Sequence, residues 1–142
     1  MGIEKIYSRA VMDSAMSDKN RMYLVNANHG SFGTNVQCGD NVGVRLFVGA
    51  DDRIEGAAFS GMGCALSQAS ASMMIDLIRN KTVSDARRLV SEFMTMVDGG
   101  DAPEELGDTL SFSEISKLLP SRSPCVKLAW ETLLDALDKE IE

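Results

Sequence analysis

The chain has 142 residues, 44% of them hydrophobic, and 14 basic against 21 acidic side chains give a formal net charge of −7. That length builds one sizeable core and no more, so a single domain over residues 1–142 is expected, and the acidic balance disfavours nucleic acid, whose phosphates attract basic patches. No run approaches the roughly 18 apolar residues of a membrane span, and the start Met1-Gly2-Ile3-Glu4-Lys5 lacks a signal peptide's apolar centre, so a cytoplasmic protein with no membrane contact is expected.

Ile3, Ile6, Tyr7, Ala10, Val11 and Ser14 follow helical spacing and predict a helix over residues 3–16 with one apolar face. From Ser17 to Gln37 the sequence is polar and rich in Gly and Asn, interrupted by Tyr23-Leu24-Val25, which reads as a short edge strand. Val42, Val44, Leu46 and Val48 then alternate with Gly43, Arg45 and Phe47. After Gly49-Ala50-Asp51-Asp52 a second strand carries Ala57 and Phe59, so the pair predicts a hairpin. Ala65 to Lys81 is proline-free and helix-compatible, which puts Cys64 at a strand-to-helix junction.

Thr82-Val83-Ser84-Asp85 approximates a capping box and starts another helix, with Val83, Ala86, Val90, Phe93 and Val97 as its buried stripe and Asp98-Gly99-Gly100 as its stop. Residues 101–114 show no period and read as a loop before a short turn at Glu114–Leu119. A last helix begins near Pro124 and buries Val126, Ala129, Trp130, Leu133, Leu137 and Ile141, with Cys125 in its first turn. These elements predict an α+β fold, a small antiparallel β-sheet with helices packed against it.

Cys38, Cys64 and Cys125 are an odd and well-separated set, which argues against a disulfide framework and leaves metal binding, catalysis or plain burial open. Free cysteine is commonly buried and inert, and no CxxC pair is present. All three nevertheless fall at the ends of elements, where loops meet. Glycine beside Cys38 and Cys64 permits tight bending, and a helix N-terminus favours a thiolate. Asp40 reads as a solvated turn residue by default, yet it stands two positions past Cys38 and could add a hard oxygen to three soft sulfurs. His29, the only histidine, reads as a solvated loop residue rather than a ligand, and Ser67, Ser70 and Ser72 read as small residues for close helix packing.

Three segments carry a family resemblance: Cys38-Gly39-Asp40, the run Gly63-Cys64-Ala65-Leu66-Ser67-Gln68-Ala69-Ser70-Ala71-Ser72-Met73-Met74, and Arg122-Ser123-Pro124-Cys125-Val126-Lys127-Leu128-Ala129-Trp130. With Tyr7 to Asp13 they make the chain resemble the U-type iron–sulfur assembly proteins of the IscU/NifU N-terminal family, and most of all their SufU branch. The long segment from Thr82 to Pro120 resembles the insertion of that branch, and Pro124 stands where IscU-like sequences carry a histidine. Leu119-Pro120-Ser121-Arg122-Ser123 does not reproduce the IscU motif read by an Hsp70 chaperone, so such a partner is not expected. Asn35-Val36-Gln37 departs from the usual Asn-Pro before the first cysteine, and Asp13-Ser14-Ala15-Met16 from the usual Asp-His-Tyr.

The resemblance implies that Cys38, Asp40, Cys64 and Cys125 hold one zinc, and that Cys38 accepts persulfide sulfur from a SufS-like cysteine desulfurase on the way to other iron–sulfur assembly components. The alternative, second to this relay, is a scaffold on which iron or a [2Fe–2S] or [4Fe–4S] cluster is bound transiently and then handed on. Arg122 would contact a persulfide or the partner, or else be a solvated arginine.

Overall fold

Alternation of Val42, Val44 and Leu46, all buried, with the less buried Asn41 and Arg45 makes residues 40–48 a strand with one face inward. In the computed structural model, which describes residues 3–141, this strand is the centre of a three-stranded antiparallel sheet of order β1-β2-β3. Its strands are β1 (His29–Asn35), β2 (Asp40–Val48) and β3 (Ile54–Met62). The β2–β3 hairpin follows the sequence pattern; β1 does not. Its inward positions are His29, Ser31, Gly33 and Asn35, opposite Leu46, Val44, Val42 and Asp40. Gly33 lies so close to Thr132 and Leu128 that any side chain would collide with them, so no apolar alternation can be written there.

Helices α3 (Ala65–Ile78), α4 (Val83–Val97) and α6 (Ser123–Leu137) make most of the helical layer, with α6 against β1 and β2 and α3 against β3. Trp130 stacks on Phe93 at 4.0 Å between ring centroids and 6° between planes, and Phe112 meets Phe93 edge-on at 6.4 Å. Among the described residues the helices carry no segment long and apolar enough to cross a membrane. The architecture is the α+β class expected.

Four local expectations are corrected. The first helix is broken into α1 (Ile3–Ile6) and α2 (Arg9–Met16), because Ser8 adopts extended backbone and its hydroxyl accepts from Val11 N. Tyr23-Leu24-Val25 is not a strand: the chain there crosses the outer sheet face, where the Arg45 guanidinium lies 4.1 Å from the Tyr23 ring centre and Arg45 Nε donates to Leu24 O at 3.0 Å. Residues 104–112 are not a loop but tight 3₁₀ turns that bury Leu106, Thr109 and Phe112 at a spacing of three, a period that a search for 3.6 misses. They lead into the short α5 (Ile115–Leu118). Ile141 lies beyond α6, where its N–H donates to Asn28 O at 2.8 Å.

Candidate metal centre

The β1–β2 turn, residues 36–39, is closed by the facing pair Asn35 and Asp40. Gly39 has φ 71, where a side chain would be strained, and this lets the chain reverse directly after Cys38. Cys38 N donates to Asn35 O at 3.2 Å, and Gln37 N donates to Asn35 Oδ1 at 3.2 Å. One residue thus pins the loop that presents Cys38, whose side chain is partly exposed.

Asp40 is 2% exposed, not the solvated carboxylate that its turn position suggests. The end of β3 reaches it. Cys64 N donates to Asp40 Oδ1 at 3.0 Å, and a side chain at Gly63 would run into that carboxylate and into Ser67 Oγ, so glycine is what allows the approach. Asp40 Oδ2 is buried with no hydrogen-bond partner. Cys64 is the N-cap of α3, with no capping bond holding its thiol, and is partly exposed.

Cys125 comes from the first turn of α6 and is fully buried. Its Sγ lies 3.0 Å from Cys38 Sγ, close enough for one thiol to donate to the other; all three cysteines are free. Burial, the Cys38 thiol and the Asp40 carboxylate together push the Cys125 thiol far above its ordinary pKa. Arg122, the residue immediately before α6, has its pKa raised by the neighbouring Cys125 and by the nearby Cys64. It lies beside the cysteines and is open to solvent.

The ligand atoms of Cys38, Asp40 and Cys125 all lie within 4.8 Å of one another. The Cys64 sulfur is not part of that compact group, although its backbone is tied to Asp40. His29 lies at the opposite end of β1, with Nδ1 2.9 Å from Ala136 O; it is neither a ligand here nor a loop residue. Thiolates with a carboxylate are donors that zinc accepts, and a buried, unpartnered Asp40 Oδ2 is the atom a cation would satisfy. The residues fit such an ion. Pattern reading did not single out Asn35 or Ser123, whose buried Nδ2 and Oγ also lack partners; the only signal was the proximity of each to a cysteine.

The family described as NifU-like N-terminal domain matches residues 6–139. The chain is 39% identical over 140 residues to the iron–sulfur cluster assembly scaffold protein IscU of Thermotoga maritima, covering 98% of this chain and 97% of that protein. It is 33% identical to the zinc-dependent sulfurtransferase SufU of Bacillus subtilis, covering 97% and 93%. Among solved structures, an iron–sulfur cluster assembly scaffold protein of the SUF system from Fervidobacterium islandicum AW-1 superposes with a TM-score of 0.87 at 34% identity, over 96% of this chain and 99% of that one.

Proposed function

This chain belongs to the NifU-like N-terminal domain family, which includes iron–sulfur cluster assembly scaffold proteins, and we propose that it is a zinc-dependent sulfur acceptor relaying persulfide sulfur from a cysteine desulfurase. The observation that carries this reading is the convergence of Cys38, Asp40 and Cys125 within 4.8 Å, with Cys38 alone of the three on a partly exposed turn. Cys38, Asp40, Cys64 and Cys125 would hold the zinc. When bound, zinc keeps thiols deprotonated and brings no redox chemistry of its own.

Cys38 is the acceptor because it is the thiol of the compact group that a partner can reach. As a thiolate, its Sγ attacks the outer sulfur of the partner's cysteine persulfide. A new S–S bond forms on Cys38, the old S–S bond breaks, and the partner's cysteine leaves as a thiolate with that electron pair. Buried Cys125 is shielded from this role and suited to holding the site together. Arg122, beside Cys125 and Cys64, supplies positive charge to the anionic sulfurs. Val36 in the turn and Met62 opposite Asn41 beside it, 89% and 73% exposed, offer apolar surface that a partner would cover.

The test incubates the protein with cysteine desulfurase and cysteine and reads adducts by mass spectrometry. One added sulfur on Cys38 in the wild type and none in Cys38→Ser is the expected result; equal adduct on both sinks the acceptor role of Cys38. A second reading, a scaffold that assembles an iron–sulfur cluster on the same thiolates, is favoured by the near full-length likeness to an IscU scaffold. Metal analysis of anaerobically purified protein separates the two: stoichiometric zinc supports the relay, iron with inorganic sulfide the scaffold.

A further inference from the structure

Among the described residues, four buried side-chain nitrogen or oxygen atoms lack a hydrogen-bond partner, and three of them, Asn35 Nδ2, Asp40 Oδ2 and Ser123 Oγ, lie within three positions of Cys38 or Cys125. Unpaired buried polar atoms are uncommon, and their concentration at one end of the molecule implies something for them to bind. The three are not equivalent. Asp40 Oδ2 suits a cation, and a serine hydroxyl either donates or accepts. Asn35 Nδ2 can only donate, and the N–H of Gln37 bonded to Oδ1 fixes which end of the amide is which.

Asn35 faces Asp40 across the ladder, so both side chains project to the same side of the sheet, at the two ends of the turn that carries Cys38. A buried donor in that place cannot ligate a metal; it calls for an electron-rich acceptor. We infer that Asn35 is a substrate-positioning residue whose Nδ2 donates to the outer sulfur that Cys38 carries after transfer. The inference rests on the relay reading above. In the transfer that outer sulfur changes its bond from the donor's cysteine to Cys38 Sγ, and it ends as the terminal atom bearing either a proton or the negative charge. A fixed N–H at the mouth of the turn binds that atom and slows its loss.

Two variants separate this role from pinning of the turn. Asn35→Asp keeps the oxygen that accepts from Gln37 N and removes the donor, whereas Asn35→Ala removes both. With desulfurase and cysteine as the sulfur source, the initial rate of persulfide formation on Cys38 and its lifetime are read by trapping and mass spectrometry, with zinc content and melting temperature measured in parallel. Both variants are expected to fall about tenfold or more in rate or lifetime, the scale of a hydrogen bond to a charged group, while Asn35→Asp keeps its zinc and its melting temperature. Wild-type behaviour in Asn35→Asp with a slow Asn35→Ala overturns the inference and leaves turn pinning. Loss of zinc from Asn35→Asp together with loss of sulfur uptake overturns it in favour of metal support. If wild type itself takes no sulfur on Cys38, the relay reading fails and this inference with it, an outcome visible before any Asn35 variant is compared.

Discussion

Two regions that meet at α6 treat buried polar atoms in opposite ways. Deep in the helical layer, Trp130 Nε1 donates to Ser70 Oγ at 3.0 Å and Ser70 Oγ donates to Val126 O at 2.6 Å, while Asn20 Nδ2 donates to Ser72 O at 2.9 Å. At the cysteine end, Asp40 Oδ2, Asn35 Nδ2 and Ser123 Oγ are left without partners. Buried polar groups in folded proteins are nearly always paired, so the first region is arranged for stability and the second for something it binds. Serines of α3 that read as mere small residues are thus donors and acceptors in the core network, while a turn carboxylate that reads as solvated is buried.

The comparison is tested hardest at Trp130. Trp130→Ala removes the stack on Phe93 and the bond to Ser70 and should cost about 3–5 kcal/mol in denaturant unfolding, with zinc per folded molecule unchanged. Zinc loss in the folded fraction would mean that the two regions are one unit. Next in size, Cys125→Ser should lower zinc affinity at least about tenfold, while metal-free unfolding shifts by only about 1 kcal/mol, the ordinary size of a point substitution; chelator competition and metal-free melts measure the two.

Asp40→Asn sharpens the contrast by reversing a sign. The amide can keep an oxygen for Cys64 N and loses the carboxylate whose second oxygen is unpartnered, so the metal-free protein should gain up to about 1 kcal/mol while zinc retention falls. A destabilised metal-free variant would show that Asp40 serves the fold.

The smallest effect belongs to the satisfied region. Burial alone would raise Asp76, but hydrogen bonds from Lys19 and Asn20 and the charges of Lys19 and Arg79 outweigh it and hold its carboxyl below the usual range. A depressed folded pKa gives stability that is present above the unfolded value of about 3.9 and is lost as pH falls through the folded one. Asp76→Asn should therefore flatten the acid side of the stability curve below about pH 4, by less than about 1 kcal/mol because the Lys19 pair is largely solvated. An unchanged acid slope in urea melts would remove Asp76 from this account.

Local chemistry was legible in the sequence wherever it was repeated or capped. Thr82 Oγ1 accepts from Asp85 N at the start of α4, the alternation of β2 gives the central strand, and the apolar spacing of α6 buries Val126, Ala129, Trp130 and Leu133. The cysteines were legible as ends of elements, since glycine and helix starts are local features. β1 was not, because its inward side is occupied by α6 at Gly33 and leaves no side-chain pattern to read. Nor was the pairing of His29 with Ala136 O, a contact between residues 107 positions apart. Which side chains share a site is set by long-range packing: Cys38 and Cys125 are 87 positions apart and meet at 3.0 Å only because the β1–β2 turn and the start of α6 fall at the same end of the layered fold. Periodicity fixes which face of an element turns inward, but the burial of Asp40, the withdrawal of the Cys64 sulfur from the compact group and the unpaired Asn35 amide depend on which elements come to lie against one another, and only the packed structure decides that.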